Sequence, residues 1–185
     1  MAKLIYSALA SVDGYIADEQ GDFSWAAPDE ELHAAVNDLE RDIGTMLLGR
    51  RMYQVLSAWE TMDVRDEPAV IGGYAAIWHS IDKVVYSTTL AEVSTGRTTL
   101  ERVFDPQSVQ ARKASADRDL SIGGPTLAAL AFRAGLVDEV QLFLVPEVVG
   151  GGLAALPPGS RASLQLVDER RFAGGAVLLR YRVVG

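Results

Sequence analysis

The stretch that most constrains the fold of this chain is residues 120–130, which read Leu-Ser-Ile-Gly-Gly-Pro-Thr-Leu-Ala-Ala-Leu. A short apolar run followed by glycines, a proline and a helical pattern is typical of a buried strand that leads directly into a helix. Gly123 and Gly124 let a ligand approach the backbone, and Pro125 suits the first helical position. The unpaired N–H groups of that first turn favour an anion such as a pyrophosphate, although strand-to-helix turns without a ligand use the same residues.

A similar strand-to-helix turn occurs earlier in the chain. Residues 45–48 predict a short buried strand, and Gly49 leads from it into a helix that starts with Arg50 and Arg51. Arginines in a first helical turn oppose the helix dipole, so they indicate an anionic partner. The alternative is that one arginine pairs with a nearby carboxylate while the other is solvated.

Three hydroxyl side chains, Ser87, Thr88 and Thr89, follow the buried strand predicted at residues 82–86. Hydroxyls at the end of a strand either donate to a phosphate group or cap the next helix, and capping is the more common use. The chain therefore has three strand ends that favour phosphate binding, each with a structural alternative.

The first predicted strand, Lys3 to Ala10, is followed by a turn at Asp13 and Gly14. Asp13 is either a turn former or a polar group at the carboxyl end of a central strand, where open α/β sheets bind their ligands. The loop that follows, Glu19 to Ala27, contains Trp25. An aromatic residue in such a loop either belongs to a lid or holds the loop against the core.

Residues Pro28 to Ile43 predict a helix, because apolar residues recur at helical spacing and Gly44 follows as a stop. The acids of the first turn, which include Asp29 and Glu30, suit the positive end of the helix dipole. On a helical wheel Asp29 is at the margin of the apolar stripe and Glu30 is nearly opposite it. Solvation is therefore the simplest explanation of Glu30.

Strands and helices alternate along most of the chain. With 185 residues, 49% of them hydrophobic, the chain is long enough for one domain with a sizeable core over residues 1–185. The alternation predicts a three-layer α/β fold whose mostly parallel central sheet ends in antiparallel C-terminal strands. The remaining predicted elements are a helix at 68–80, a strand at 98–104, a helix from Pro106, and strands at 139–145, 164–167 and 177–183.

The composition argues against several classes of function. A formal charge of −8 disfavours nucleic acid or an anionic membrane as the main partner. Without cysteine there are no disulfides and no thiolate metal sites, and the two isolated histidines, His33 and His79, lack the spacing of metal ligands. No segment resembles a secretory signal or approaches about 20 consecutive apolar residues, so we expect a cytoplasmic protein without a metal.

Five short motifs stand out when the chain is considered as a whole: Ser-Ala-Leu-Ala-Ser-Val-Asp-Gly-Tyr-Ile-Ala at 7–17, Leu-Leu-Gly-Arg-Arg-Met-Tyr at 47–53, Val-Val-Tyr-Ser-Thr-Thr-Leu at 84–90, Ser-Ile-Gly-Gly-Pro-Thr-Leu at 121–127 and Val-Pro-Glu-Val-Val-Gly-Gly-Gly at 145–152. In this order they resemble the dihydrofolate reductase superfamily. The resemblance is closest to the reductase domain of bacterial riboflavin biosynthesis, the C-terminal half of a bifunctional deaminase/reductase. The deaminase half has no counterpart, since its zinc-binding motif requires cysteine.

The resemblance implies NADPH as cofactor, a small molecule as substrate and a homodimer as assembly. Ala8 and Ile16 match the backbone positions that flank the nicotinamide. Asp13, Trp25 and Asp29 would lie along a ring-shaped substrate with a reducible C=N or C=O bond. The other cofactor positions match phosphate-contacting turns: Gly49, Arg50 and Arg51; Ser87, Thr88 and Thr89 at the adenosine 2′-phosphate; and Gly123, Gly124, Pro125, Thr126 and Leu127 at the pyrophosphate.

The resemblance also implies a catalytic acid early in the helix that follows Trp25. Counting along the chain puts Glu30 there, with Asp29 and a proton from solvent as alternatives. The aliphatic or aromatic residues that grip a pterin farther along the helix are replaced here by Ala34 and Asn37, a departure that weakens the folate alternative. The implied function is an NADPH-dependent reductase of a pyrimidine- or pterin-like heterocycle, similar to 5-amino-6-(5-phosphoribosylamino)uracil reductase. Dihydrofolate reductase activity and a non-catalytic NADPH-binding relative are the alternatives.

Overall fold

The structure, a computed structural model, describes residues 1–184. Its strands are β1 (Leu4–Ser11), β2 (Tyr15–Ala17), β3 (Ile43–Gly49), β4 (Asp82–Tyr86), β5 (Thr98–Glu101), β6 (Asp119–Gly123), β7 (Glu139–Val145), β8 (Leu153–Ala154), β9 (Ser163–Arg171) and β10 (Val177–Val184). Eight of them form one sheet in the order β5-β4-β3-β6-β1-β7-β10-β9. The first six are parallel, and β10 is antiparallel to both β7 and β9.

Helices pack on both faces of this sheet: α1 (Glu30–Glu40), α2 (Arg50–Leu56), α3 (Ala69–Ser80), α4 (Pro106–Ser115) and α5 (Pro125–Arg133). Successive residues of β3 point into the two layers, since Leu47 packs with α4 and α5 whereas Leu48 packs with α3. α1 lies on the α3 side, where Ala35 belongs to the same apolar cluster as Phe143. The predicted three-layer, mostly parallel α/β fold with antiparallel C-terminal strands is therefore confirmed.

Burial follows the position of each strand in the sheet. In the central strand β3, Leu47 and Leu48 are 0% and 2% exposed, as expected where helices cover both faces of a parallel sheet. The edge strand β9 is exposed along its whole length. None of the helices in residues 1–184 is long and apolar enough to cross a membrane.

The helix predicted at Pro28 to Ile43 is wrong at both ends, because α1 runs from Glu30 to Glu40. Asp29 is its N-cap: the backbone there is extended, and the side chain accepts a hydrogen bond from the backbone N–H of Leu32 at 2.8 Å. Ile43 already begins β3, where it pairs with Asp119. The turn between α1 and β3 is so short that the apolar spacing continues across it, so periodicity alone extends the helix.

The sequence prediction also missed the small antiparallel sheet formed by β2 and β8, in which Tyr15 pairs with Ala154 and Ala17 with Leu153. The sequence analysis predicts no strand in either segment. The pairing joins residues far apart in the chain, so neither segment shows it locally. The strand predicted at 98–104 is shorter, ending at Glu101, and a 3-10 helix spans Ser57–Glu60.

Candidate functional site

The three strand ends whose sequences favour phosphate binding are neighbours in the sheet. β3 lies between β4 and β6, with Gly49 beside Tyr86 and Leu48 beside Gly123. Because the three strands are parallel, the turns that follow them leave the same edge of the sheet. The carboxyl edge of β4, β3 and β6 is therefore one continuous surface, which we call the donor edge.

The Gly-Gly turn leaves the start of α5 open. Gly124 is the N-cap of α5 with a φ of 88°, a conformation that favours glycine, and no side chain caps the helix. A Cβ on Gly123 would lie 3.1 Å from both Leu48 Cδ2 and Met52 Cγ, so only glycine fits without a shift. The first N–H groups of α5 are thus available to an anion at the donor edge.

The two arginines of α2 lie at the same edge. A Cβ on Gly49 would be 3.8 Å from Leu127 Cβ, which shows how closely the starts of α2 and α5 approach. Arg50 donates from Nη1 to Thr89 Oγ1 at 3.2 Å, linking the turn after β3 to the turn after β4. Among residues 1–184, neither Arg50 nor Arg51 forms a salt bridge. Pairing with a carboxylate therefore does not account for either arginine.

The segment after β4 folds into a compact turn around Ser87. The buried Ser87 hydroxyl accepts hydrogen bonds from the backbone N–H groups of Thr89 at 3.2 Å and Leu90 at 2.9 Å. Thr88 and Thr89 are exposed. Arg102, which sequence reasoning missed, donates to backbone carbonyl oxygens on the other side of this turn. No local pattern indicated Arg102, because its partners precede β5 in the chain whereas Arg102 follows it.

Ala8 and Ile16, the positions matched to the nicotinamide, lie on β1 and β2. Tyr6 pairs with Ile122 on β6, so Ala8 is level with the Gly-Gly turn one strand away. The chain reverses after β1 through Ser11, whose hydroxyl accepts from the backbone N–H of Tyr15 at 3.0 Å. Ala8 thus lies next to the donor edge, and Ile16 follows on the segment that leaves it.

Asp13 joins the loop after β1 to the glycine-rich loop after β7. Its carboxylate oxygens accept from the backbone N–H groups of Val149 at 3.2 Å and Gly150 at 2.7 Å. The Ser11 hydroxyl together with these N–H groups lowers the pKa of the Asp13 carboxyl from its ordinary value. Asp13 is therefore ionised at neutral pH, and it already has backbone partners.

The carboxylates at the start of α1 are in different environments. Asp29 caps the helix, and Glu31 accepts from Arg170 Nη2 at 3.2 Å and from the backbone N–H of Ala173 at 2.8 Å. Glu30 is exposed and has no hydrogen-bond partner among the described residues. Trp25, half-buried against the apolar cluster under α1, donates from Nε1 to the Asp22 carbonyl at 3.1 Å.

A second buried stripe on α1 faces α3, and the sequence prediction missed it. His33, Asn37 and Glu40 recur at helical spacing, and Asn37 Nδ2 donates to the Val70 carbonyl at 2.8 Å. Burial lowers the pKa of His33 and raises the pKa of Glu40 to about 7. The His33 ring lies 5.9 Å from Tyr74, so α3 closes this side of α1. Polar residues at i, i+4 and i+7 were the signal for this contact.

Comparison with known proteins identifies relatives along the whole chain. The family model described as the RibD C-terminal domain matches residues 2–178. The uncharacterized protein YyaP of Bacillus subtilis (strain 168) is 25% identical over 182 residues, which cover 97% of this chain and 94% of that protein.

Two solved structures show the same fold. A putative riboflavin biosynthesis protein from Shewanella sp. PV-4 has a TM-score of 0.78 at 21% identity, with all of both chains covered. Dihydrofolate reductase from Enterococcus faecalis, solved with NADP(H), has a TM-score of 0.63 at 13% identity, covering 98% of this chain and 96% of that chain. At these identities the likeness concerns the fold, which is that of dihydrofolate reductase.

Proposed function

This chain belongs to the RibD C-terminal domain family, and we propose that it is a reductase that transfers hydride from NADPH to a C=N or C=O bond of a small pyrimidine- or pterin-like heterocycle. The activity would be similar to that of 5-amino-6-(5-phosphoribosylamino)uracil reductase. The observation that carries the proposal is the donor edge, where three adjacent strand ends bring free backbone N–H groups, hydroxyls and two arginines together.

The groups of the donor edge fit a dinucleotide with a 2′-phosphate. The open start of α5 suits the pyrophosphate, because its N–H groups and helix dipole favour negative charge. Arg50, Thr88 and Thr89 would hold the 2′-phosphate, with Arg51 beside them. A chain with a formal charge of −8 needs such a local set of donors to bind a polyanion. When bound, NADPH would supply the hydride, while the protein supplies orientation.

On the substrate side, the residues of this chain would orient the ring and deliver a proton. Trp25, Asp13 and Asp29 would border this side, and Glu30 has no hydrogen-bond partner among the described residues. Glu30 is our proposed proton donor, because a catalytic acid must be free to reach the reacting atom. Asp29 is less suited, since it caps α1 and packs against Gly174, where a Cβ would lie 2.3 Å from Asp29 Oδ2. A solvent proton remains the alternative.

Dihydrofolate reduction is less well supported by the contacts of α1. Asn37, one of the two positions matched to pterin-gripping residues, is buried and donates to the Val70 carbonyl of α3. Ala34, the other, presents only a methyl group. With α3 packed along α1, we propose a compact ring as the substrate.

A homodimer would cover the C-terminal hairpin. β9 is an exposed edge strand, and its Leu164 and Leu166 side chains are 37% and 48% exposed. A groove of about 300 Å³ lies at the start of β9, with Phe132, Ser163 and Val183 in its lining. An exposed apolar sheet face of this kind is typical of a subunit interface, so we propose that a second copy of the chain packs there.

The test compares NADPH with NADH and then measures turnover. NADPH at about 100 times its Kd adds about 2.7 kcal/mol of stability, which raises the melting temperature by several degrees, and NADH should add much less. Equal shifts would count against the assignment of Ser87 to Thr89. Oxidation of NADPH is then followed with pterin, pyrimidine and quinone substrates, and turnover of dihydrofolate that antifolates block would favour the folate alternative.

The second candidate is a relative that binds NADPH without turnover. It is favoured by the partners already made by the acids near the substrate side, because Asp13, Asp29 and Glu31 all accept hydrogen bonds from the protein's own backbone. Saturable NADPH binding with no oxidation across the substrate panel would support this candidate over the reductase.

A further inference from the structure

We propose that Arg102 is a positioning residue that shapes the turn after β4 for recognition of the ribose 2′-phosphate. The inference rests on the proposed function. Arg102 donates from Nη1 to the carbonyl oxygen of Ser87 at 3.2 Å and to that of Leu90, and from Nη2 to that of Ala91 at 3.2 Å. One guanidinium therefore holds three carbonyl oxygens of a five-residue turn.

The hydrogen bonds of Arg102 determine which groups of the turn remain free. In a peptide unit the C=O and N–H point in opposite directions, so a Ser87 carbonyl turned towards Arg102 directs the Thr88 N–H away from it. The N–H groups of Thr89 and Leu90 are taken by the Ser87 hydroxyl. The Thr88 N–H has no acceptor among residues 1–184, so it is free for an external anion.

A second contact brings a charged donor to the same turn. Arg50 donates to Thr89 Oγ1 at 3.2 Å, which fixes an arginine from the donor edge on the same turn. The Thr88 N–H, the Thr88 hydroxyl and the remaining N–H groups of Arg50 therefore belong to one set of donors. Arg102 itself is occupied by carbonyl oxygens and forms no salt bridge within the described residues, so it acts on the phosphate through the turn.

The experiment measures the affinities of the full chain for NADPH and NADH in Arg102→Gln and Arg102→Lys. In Arg102→Gln the three carbonyl oxygens lose their charged donor, so we expect Kd for NADPH to rise about 10-fold or more and Kd for NADH to change less than about 2-fold. Arg102→Lys keeps the charge but loses the fork geometry, so it should recover part of the NADPH affinity. Arg97→Gln is the matched control, because Arg97 pairs with Asp82 at the opposite edge of the sheet.

The outcomes separate this inference from the proposed function. A wild-type protein that binds NADPH and NADH equally would overturn the assignment of NADPH, whatever the Arg102 variants do. A wild-type protein that prefers NADPH, with the same preference in Arg102→Gln, would overturn the role of Arg102 alone. If Arg102→Gln does not fold, Arg102→Lys decides: a lower NADPH/NADH preference supports the positioning role, and an unchanged preference overturns it.

Discussion

The two sides of the sheet's carboxyl edge use their polar groups in opposite ways. At the donor edge, formed by β4, β3 and β6, Arg50 and Arg51 have no carboxylate partner in the described chain and the start of α5 has no side-chain cap. Beyond β1, the carboxylates of Asp13, Asp29 and Glu31 accept hydrogen bonds from backbone N–H groups of the protein itself. One side has unused donors, whereas the other has acceptors that already hold loops in place.

This difference teaches that a charged residue near a cleft is available to a ligand only when it has no partner within the protein. Acids are numerous on the second side, yet three of them stabilise loop geometry rather than face a free space. Redirecting these acids towards a ligand would break hydrogen bonds to ionised groups, which are stronger than bonds between neutral groups. The free donors of the donor edge have no hydrogen bonds to lose when a ligand binds. Anion binding is therefore the best explanation of these donors.

The largest effect is expected from removing the free donors. Arg50→Ala combined with Arg51→Ala should raise Kd for NADPH about 100-fold or more, because two charge-assisted contacts are lost, and should change Kd for NADH much less. Titration calorimetry with both nucleotides measures the two constants. Arg65→Ala is the control, since Arg65 is exposed and pairs with Asp63. Equal losses for NADPH and NADH would break the comparison, because the arginines would then not recognise the 2′-phosphate.

The next effect concerns the loops held on the second side. A Cβ on Gly152 would lie 2.1 Å from the Ala17 carbonyl oxygen, and φ there is 127°. Gly152→Ala should therefore cost about 3 kcal/mol or more of folding free energy. Gly150→Ala is the matched control, since a Cβ there meets nothing within 4 Å and only its φ of 79° is unfavourable, at about 1–2 kcal/mol. Thermal unfolding measures the loss of stability in each variant. Equal losses would show that the contact between Gly152 and the Ala17 carbonyl oxygen is not tight.

The smallest effect tests Glu40, an acid at the C-terminal end of α1 that is buried without a full set of partners. The pKa of Glu40 is raised from 4.5 to about 7 by burial, and its Oε2 has no hydrogen-bond partner in the described residues. The folded state therefore keeps a proton on Glu40 that the unfolded chain releases, so the contribution of Glu40 to stability falls as pH rises from about 5 to about 7 and is level above that. We expect Glu40 to account for a loss of about 2–3 kcal/mol over this range, which the lowered pKa of His33 opposes.

Denaturant unfolding at several pH values measures this loss. Glu40→Gln should remove the contribution of Glu40, because the amide stays neutral throughout the range, and should leave the opposite slope that the lowered pKa of His33 produces. Glu30→Gln is the control, since Glu30 is exposed and should leave the slope unchanged. Parallel pH profiles for the wild-type protein and Glu40→Gln would contradict the assignment of the slope to Glu40.

Local sequence patterns determined the layers of the fold and the donor edge. Apolar runs followed by glycine, proline or hydroxyl residues indicated the ends of β3, β4 and β6. Helical spacing of apolar residues indicated most helices, and short apolar runs indicated most strands. These features depend on residues a few positions apart, so they are readable without a structure. The parallel arrangement then brings the three ends to one edge.

Only the tertiary structure decided which charged residues are free. Asp13 meets Gly150, Glu31 meets Arg170, and β2 pairs with β8, all across more than a hundred residues of chain. Such contacts depend on the order and register of strands, which leave no periodic trace in either segment. The polar spacing of α1 was readable in the sequence, but only the structure shows that α3 covers it, and only the structure shows which carbonyl oxygens Arg102 holds.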